Sequence, residues 1–317
     1  MPVAEAYTGP RLDLGMALEE YPIAGAEGFI ADQILPVTPV AKKAASFSVI
    51  TRESILRDAN VVRSVGSAFG RGTFGTDEVS YRCEGYGIEQ KLPDELAEFY
   101  SSDFDAAMTA AAVAAATVKR ERERRVAAII QNTSTWTGAA LYTDLGTDWD
   151  SASSTPIADV DATKEIIRRN CGLSPNTMVI SAAVIPWLKY NTDLGNRLRY
   201  VMALTNEVIR QSLAELFGIP NVLIAGAVRN SGAEGESFSG SDIWSDNYCW
   251  LGVVPQTPNI AEPGVGRTLL WQADTPSIMT VSEYYEVQTK SRIFRAEQHL
   301  QEKVIDAYYG HLLLIDT

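Results

Sequence analysis

The chain has 317 residues, of which 46% are hydrophobic and 21% charged, with a net charge of −13 and an isoelectric point near 4.7. This is enough chain and apolar content for one large or two ordinary domains, and it excludes wholesale disorder. The acidic balance argues against tight binding to a nucleic-acid backbone, which needs clustered Lys and Arg to displace counterions.

Residues 1–45 read as an extended arm. Gly9, Pro10, Pro22, Gly25 and Gly28 punctuate it, and each disfavours regular structure or fixes a turn. Its last part runs into the stretch "EGFIADQILPVTPVAKKAASFSVITRES" (27–54), apolar yet broken by Pro36 and Pro39. A short helix near 29–35 is the only regular element expected in the arm. Its apolar residues have no partner nearby in sequence, so the arm is expected to contact other copies of the chain. It should then be dispensable for folding and needed for assembly.

Residues 46–92 alternate polar and apolar side chains in "SFSVIT" and "EVSYRCEGYGIE", the period of strands. Between these lies "RESILRDANVVRSVGSAFGRGTFG", rich in Arg and then in Gly. The whole is expected to be a long two-stranded excursion with a flexible tip. A lone hairpin of that kind is marginal in water, which again points to intermolecular support.

"LPDELAEFY" starts a helix at Pro93, with Asp94 and Glu95 near its positive end. Ser102, with Asp105 three residues on, resembles a weakened capping box for a fresh start. From Asp103, "DFDAAMTAAAVAAATVKRERERRVAAIIQN" holds no Gly or Pro and is dense in alanine, so it predicts a long helix of roughly 42 Å. Its alanine half should pack on something flat. Its "KRERERR" half should be solvated or face an acidic surface, with Glu121 and Arg125 paired at i, i+4.

A polar loop with Trp136 and Trp149 follows, and then an α/β rhythm. "DVDATKEIIRRNCG" is a helix starting at an Asp cap and ending before Gly172; "NTMVISAAV" is a buried strand. "TNEVIRQSLAELFG" is a helix capped by Thr205 or Asn206 and ended at Gly218, and "PNVLIAGAV" is a second buried strand. "NSGAEGESFSGSD" reads as a mobile loop; "YCWLGVV" and "TLLW" are strands. The C-terminal part from Ser277 returns to β character.

Candidate chemistry is sparse. "GRGTFG" (70–75) matches a dinucleotide fingerprint, but that motif works only where a helix N-terminus follows, and here the next residues read as strand. The two histidines, His299 and His311, form no cluster, and there is no Gly-x-Ser-x-Gly elbow. Cys83, Cys171 and Cys249 lack metal or redox spacing and read as buried free thiols in a reducing cytosol. No signal-peptide pattern opens the chain, and no run approaches ~18 apolar residues. The expectation is a soluble, non-enzymatic protein made in the cytoplasm, without cofactor or metal.

The order of these parts resembles the major capsid proteins of tailed bacteriophages, whose Hong Kong 97-like shell fold is shared with encapsulin nanocompartments. "FIADQILPVTPVAKKAASFSV" looks like that family's arm leading into its extended loop, and "YRCEGYGIEQKLPDEL" like the return into the spine helix. "NTMVISAAVIPWLKYN" and "LAELFGIPNVLIAGAVRN" look like its apical domain. The resemblance spans almost the whole chain. It implies an α+β fold with an N-terminal arm (1–45), an extended β loop (46–92), a peripheral domain with the spine helix (93–158 and 272–317) and an apical α/β domain (159–271).

The resemblance further implies a structural protein that self-assembles through hexamers and pentamers into the icosahedral head shell of a virion. Such a shell is assembled in the host cytoplasm and encloses double-stranded DNA without reading its sequence, and an acidic chain suits a container whose wall must not hold DNA tightly. Phe29, Ile30, Ile34 and Leu35 would be buried on neighbouring subunits. Arg52, Arg57, Arg63 and Arg71 would lie over a neighbour, where Asp94, Glu95, Glu98 or Asp103 would receive them. Some members crosslink a loop Lys to a neighbour's Asn; Lys42, Lys43 and Lys91 fit no such motif, so the shell should be non-covalent. The chain begins at the arm without a helical propeptide, so a separate scaffolding protein, and a portal, are the expected partners. Two alternatives stand beside this reading: an encapsulin-like compartment, which would bind cargo enzymes, and a cytosolic α/β enzyme, which would form a small oligomer.

Overall fold

The computed structural model describes residues 28–316, apart from 59, 60, 64, 67, 70, 101–104, 193, 195–205, 234, 260, 261 and 273–276. Residues 1–27, and with them most of the expected arm, lie outside the described residues, as do Ser102, Asp103 and Thr205. In chain order the elements are α1 (Ala31–Ile34), β1 (Val37–Val40), β2 (Ala44–Ile50), α2 (Arg52–Ile55), β3 (Thr76–Arg82), β4 (Glu84–Pro93), α3 (Asp94–Tyr100), α4 (Ala106–Ile130) and β5 (Tyr142–Asp144). Then follow α5 (Pro156–Cys171), β6 (Thr177–Ser181), α6 (Val184–Tyr190), α7 (Asn206–Phe217), β7 (Asn221–Ala225), β8 (Val228–Asn230), β9 (Gly240–Asp242), β10 (Tyr248–Gly252), β11 (Gly266–Trp271), β12 (Thr280–Glu286), β13 (Ser291–Val304) and β14 (Gly310–Leu314).

Helix α4 is the expected spine. Its N-cap is Asp105, whose side chain accepts from the amides of Ala107 and Met108 at 3.0 Å, satisfying two of the first-turn donors that no helix can pair internally. Its alanine-rich half lies on a five-stranded sheet, with Ala110, Ala111, Ala114, Ala115 and Val118 buried against Phe294, Ala296, Val281 and Leu92. Small side chains let the helix approach the sheet closely, and the flat partner expected from the sequence is this sheet. The other end of α4 enters a second core, where Val126, Ala127 and Ile130 join the α/β unit.

In the first sheet β13 pairs antiparallel with β4 on one side and with β12 and β11 on the other, while β1 joins β11 in parallel. The expected strand 78–89 is in fact two strands, broken at Cys83. That residue is fully buried and its Sγ donates to the Leu269 carbonyl, so the chain turns there from the β2–β3 hairpin into the sheet.

The second sheet has the order β5-β14-β10-β6-β7. Strands β6 and β7 are parallel neighbours, and α5 and α7 carry the chain towards and between them. Helix α5 starts at Pro156 rather than at an Asp cap; its N-cap Thr155 makes no side-chain cap bond, and Pro fits a first-turn site that needs no amide. Its end is as expected, at Gly172 with φ 78°. The sheets divide the chain differently from the sequence boundaries. β5 and β14 belong to the α/β sheet, and β1, β4 and β11 belong to the sheet under the spine helix. The segment expected to be a mobile loop is flanked by a short antiparallel ladder, β8 with β9.

The four most voluminous buried side chains are Trp136, Trp149, Trp244 and Trp250. The expected polar loop therefore supplies two core anchors. The Trp136 indole donates to the Ile130 carbonyl, and that of Trp149 to Asp159. Trp136 and Trp250 pack with ring centroids 6.0 Å apart. A Cβ at position 310 would come within 2.8 Å of the Trp136 ring, so only glycine fits beside this pair.

His311 on β14 is fully buried, with Nε2 2.9 Å from Thr143 Oγ1 and Nδ1 3.1 Å from the Ala140 carbonyl. Burial lowers its pKa below 6.5, against a smaller upward pull from the Ala140 carbonyl. The unfolded chain then binds more protons than the folded one just below pH 6.5, so stability is complete above that pH and falls as acid approaches the folded-state pKa. The melting temperature should decline as the pH falls below about 6.5, and His311→Gln should flatten that slope. An unchanged slope in the variant would assign the pH dependence to other groups.

Candidate intersubunit surface

Strands β2 and β3 pair from Ala44–Arg82 to Ile50–Thr76 and are joined by an excursion, residues 51–75. Its neck is closed by polar groups: the Thr51 amide donates to the Gly75 carbonyl at 3.1 Å, and the Gly75 amide to Ser54 Oγ at 2.7 Å. At its base, the Lys303 ammonium holds the Ser80 carbonyl. Beyond the neck the excursion exposes large apolar side chains. Val61, Val62 and Val65 are open to solvent, and Phe69 and Phe74 are 73% and 75% exposed. Scattered surface apolar residues are ordinary, but a run of this kind marks an interaction site. "GRGTFG" lies in this excursion and is followed by strand β3, so no helix N-terminus is available to hold a phosphate.

The four arginines expected to reach a neighbour do not behave alike. Arg52 is occupied in its own subunit: its guanidinium lies 3.1 Å from the centre of the Tyr308 ring and pairs with Glu53 at 3.1 Å. This corrects the expectation for Arg52, because an Arg stacked on an aromatic ring is committed by cation–π attraction. Arg63 stands over Phe69 at 4.3 Å, and Arg57 and Arg71 are exposed.

The expected receiving carboxylates lie on α3, which buries no residue. Asp94 accepts the Tyr285 hydroxyl at 2.7 Å, while Glu95 and Glu98 are exposed. Asp94, Glu98 and Asp105 line, with Arg292, an open cleft of about 590 Å³ between α3, α4 and the sheet. Leu96 and Phe99, the latter 71% exposed, stand on α3 among these acids. The structure thus presents an acidic and apolar face on α3 and a basic and apolar excursion, on different parts of one subunit.

The apolar arm residues are placed otherwise. Ile30, Ile34 and Leu35 are buried in their own subunit's core, and Phe29 is half-buried. Strand β1 lies beside β11, the Thr268 amide donates to the Pro36 carbonyl, and Thr268 Oγ1 donates to the Leu35 carbonyl. Their partners are 90–230 residues away in sequence, which is why the stretch looks unpartnered when read locally. Pro39 is tolerated because β1 is an edge strand, where a missing amide leaves no ladder bond unmade.

The charged half of α4 is also a correction. Arg122 and Glu123 are 4% and 1% exposed. Arg122 pairs with Asp32 and lies 3.9 Å from Glu302; Arg125 pairs with Glu302 at 2.8 Å and stacks on Tyr86 at 3.7 Å. Glu121 pairs with Arg124, not with Arg125. Glu123 accepts from the amides of Ile30 and Ala31 and from the Trp244 indole. Burial pushes its carboxyl pKa up, and those donors pull it back. The signal was in the sequence: Val118, Arg122, Val126 and Ile130 share one i, i+4 row, and Glu123 and Ala127 lie on the next. A charge inside an apolar row is a buried-network signal that the run of charges hides.

No protein-family model matches the chain. Over 249 residues it is 26% identical to the major capsid protein of Burkholderia phage BcepMu, covering 76% of this chain and 78% of that protein. Among solved structures it superposes on a phage-related protein from Bordetella bronchiseptica RB50 with a TM-score of 0.70 and 22% identity, covering 96% of this chain and 97% of the other. The capsid of a native GTA particle gives 0.60 and 16%, over 94% and 93% of the two chains. The holo-SrpI encapsulin complex from Synechococcus elongatus PCC 7942 gives 0.52 and 11%, over 92% and 89%. The chain has the Hong Kong 97-like shell fold, and in sequence and structure it is similar to the major capsid proteins of tailed bacteriophages.

Proposed function

We propose that this chain is the structural subunit of a phage head shell, assembling with copies of itself around double-stranded DNA. The observation that carries this reading is the excursion 51–75, on which Val61, Val65, Phe69 and Phe74 are largely exposed among the described residues. A second copy offers the matching surface, α3 with Leu96, Phe99, Glu95 and Glu98, so Arg57, Arg63 and Arg71 meet carboxylates while Phe69 and Phe74 meet apolar groups. The role is structural and not enzymatic. The acidic chain, net −13, encloses DNA without gripping it. Scaffolding and portal functions belong to separate proteins, and the finished protein resides in the virion.

Expression of the full chain followed by electron microscopy tests this: closed shells are expected, and a discrete small oligomer would overturn it. The fold likeness to an encapsulin keeps a cargo-loaded compartment as the second reading. Particles purified from an infected or induced host separate the two, since DNA inside supports the head shell and a co-purifying enzyme supports the compartment.

Phe69→Ser with Phe74→Ser tests the excursion itself. Both side chains are exposed in the subunit, so its melting temperature should move by no more than about 2 °C. Shell yield should collapse, because burying each ring contributes roughly 1.5–3 kcal/mol at every contact and a closed assembly repeats every contact in every subunit. Normal shells from the double variant would remove the excursion from the interface.

A further inference from the structure

Glu123 sits where three parts of the fold meet: the spine helix that carries it, the N-terminal segment at Ile30 and Ala31, and the loop before β10 that carries Trp244. One oxygen, Oε1, accepts both the Ile30 amide at 3.0 Å and the Trp244 indole at 2.7 Å; the other accepts the Ala31 amide at 3.0 Å. All three partners are donors only, and the carboxylate is buried. The adjacent Arg122 is directed to Asp32 and Glu302. The negative charge is therefore held by three N–H groups drawn from two distant segments. Losing either segment leaves a buried carboxylate short of donors, a large penalty for the contacts that remain.

A second contact reaches the same corner. The Gly226 amide donates to the Gly28 carbonyl at 3.4 Å, and a Cβ on Gly28 (φ 91°) would stand 2.5 Å from the Gly226 nitrogen. Gly226 lies between β7 and β8, and Ile243, the neighbour of Trp244, donates its amide to the Ala227 carbonyl at 2.9 Å. Residues 28–31 are thus seated on the 226–227 turn directly and on Trp244 through Glu123. Arg122, bound to Asp32, fixes the far side of the same segment.

We infer that Glu123 is a positioning residue that couples the N-terminal segment to the Trp244 corner of the α/β unit, so that the two seat and unseat together. A displacement of residues 28–31 is then transmitted into the α/β unit through this carboxylate as well as through the Gly28–Gly226 contact. This coupling lies within one subunit and does not rest on the shell reading.

Hydrogen exchange on the full chain, read by mass spectrometry, tests it. Trp244→Phe keeps an aromatic ring in this buried site and removes the indole N–H together with two ring carbons. It should speed exchange at the Ile30 and Ala31 amides by about tenfold, although both amides bond to Glu123 rather than to Trp244. Gly28→Ala should raise exchange across 243–247 in the reciprocal direction. The Trp244→Phe and Gly28→Ala effects at Ile30 and Ala31 should combine to much less than their product, as coupled sites do. Exchange at Ile30 and Ala31 that stays within twofold of the parent in Trp244→Phe, or effects of the two variants that multiply independently, would overturn the coupling. These variants leave the Glu123 charge in place, so the test does not depend on whether Glu123→Gln folds.

Discussion

Replacing residues 28–40 by a Gly/Ser linker of equal length should leave a chain that fails to fold, seen as loss of the near-ultraviolet circular dichroism of its buried tryptophans. Ile30, Ile34 and Leu35 are buried at 4%, 0% and 0% exposure. Burying such side chains contributes about 1.5–3 kcal/mol each, so removing all three takes away roughly 5–9 kcal/mol from a stability that for globular proteins is about 5–15 kcal/mol. The linker also removes the buried side chains that hold the 30 and 31 amides against Glu123, and it takes the Asp32 partner from Arg122, leaving buried charges poorly satisfied. Leu35→Ala alone should cost about 2–5 kcal/mol. A linker variant with a cooperative melt close to the parent's would mean that this segment is an accessory after all. That is the outcome expected when the stretch is read locally as a free arm.

Reversing Arg57 and Arg63 to Glu together should leave the subunit's melting temperature nearly unchanged but cut shell yield by an order of magnitude or more at low salt. Arg57 and Arg63 are both exposed, and Arg63 stands over its loop neighbour Phe69. Each exposed ion pair is worth only about 0–1 kcal/mol, yet reversal replaces attraction by repulsion at every copy of the contact. Added salt should recover part of the yield, since the Debye length shrinks from about 10 Å at 0.1 M to about 3 Å at 1 M. Adding Glu95→Lys and Glu98→Lys should restore assembly at low salt, which a general effect of net charge would not do. Full assembly of the double arginine variant at low salt would show a merely solvated loop. Failure of the four-residue swap would place the partner of these arginines elsewhere than α3.

The pieces that sequence exposed well are those whose cause is local. Between Asp105 and Ile130 nothing breaks the helix, Asp105 supplies its cap, and Gly172 and Gly218 stop α5 and α7 in the left-handed region. The strands β6, β7 and β10 are short apolar runs bounded by turn residues, and the excursion was legible because its Arg- and Gly-rich centre fits neither period. The candidate surface was half legible. The acids at 94, 95 and 98 were placed by helix-start logic, whereas Arg52 looked like its neighbours until Tyr308, 256 positions further on, took it.

What the sequence by itself determined was the longer helices, most of the apolar strands and the glycines that end α5 and α7, because propensity, capping and alternation act over a few residues. Only the tertiary structure decided which of them share a sheet. β4 lies on β13 across some 200 residues, and β14 crosses into the α/β sheet to lie between β5 and β10. It also decided that Ile30, Ile34 and Leu35 belong inside, and that Arg122 and Glu123 are buried with them. Those outcomes depend on which strand edges and helix faces remain open once distant segments meet. A buried charge is stable only where several such segments bring their donors and acceptors to one point.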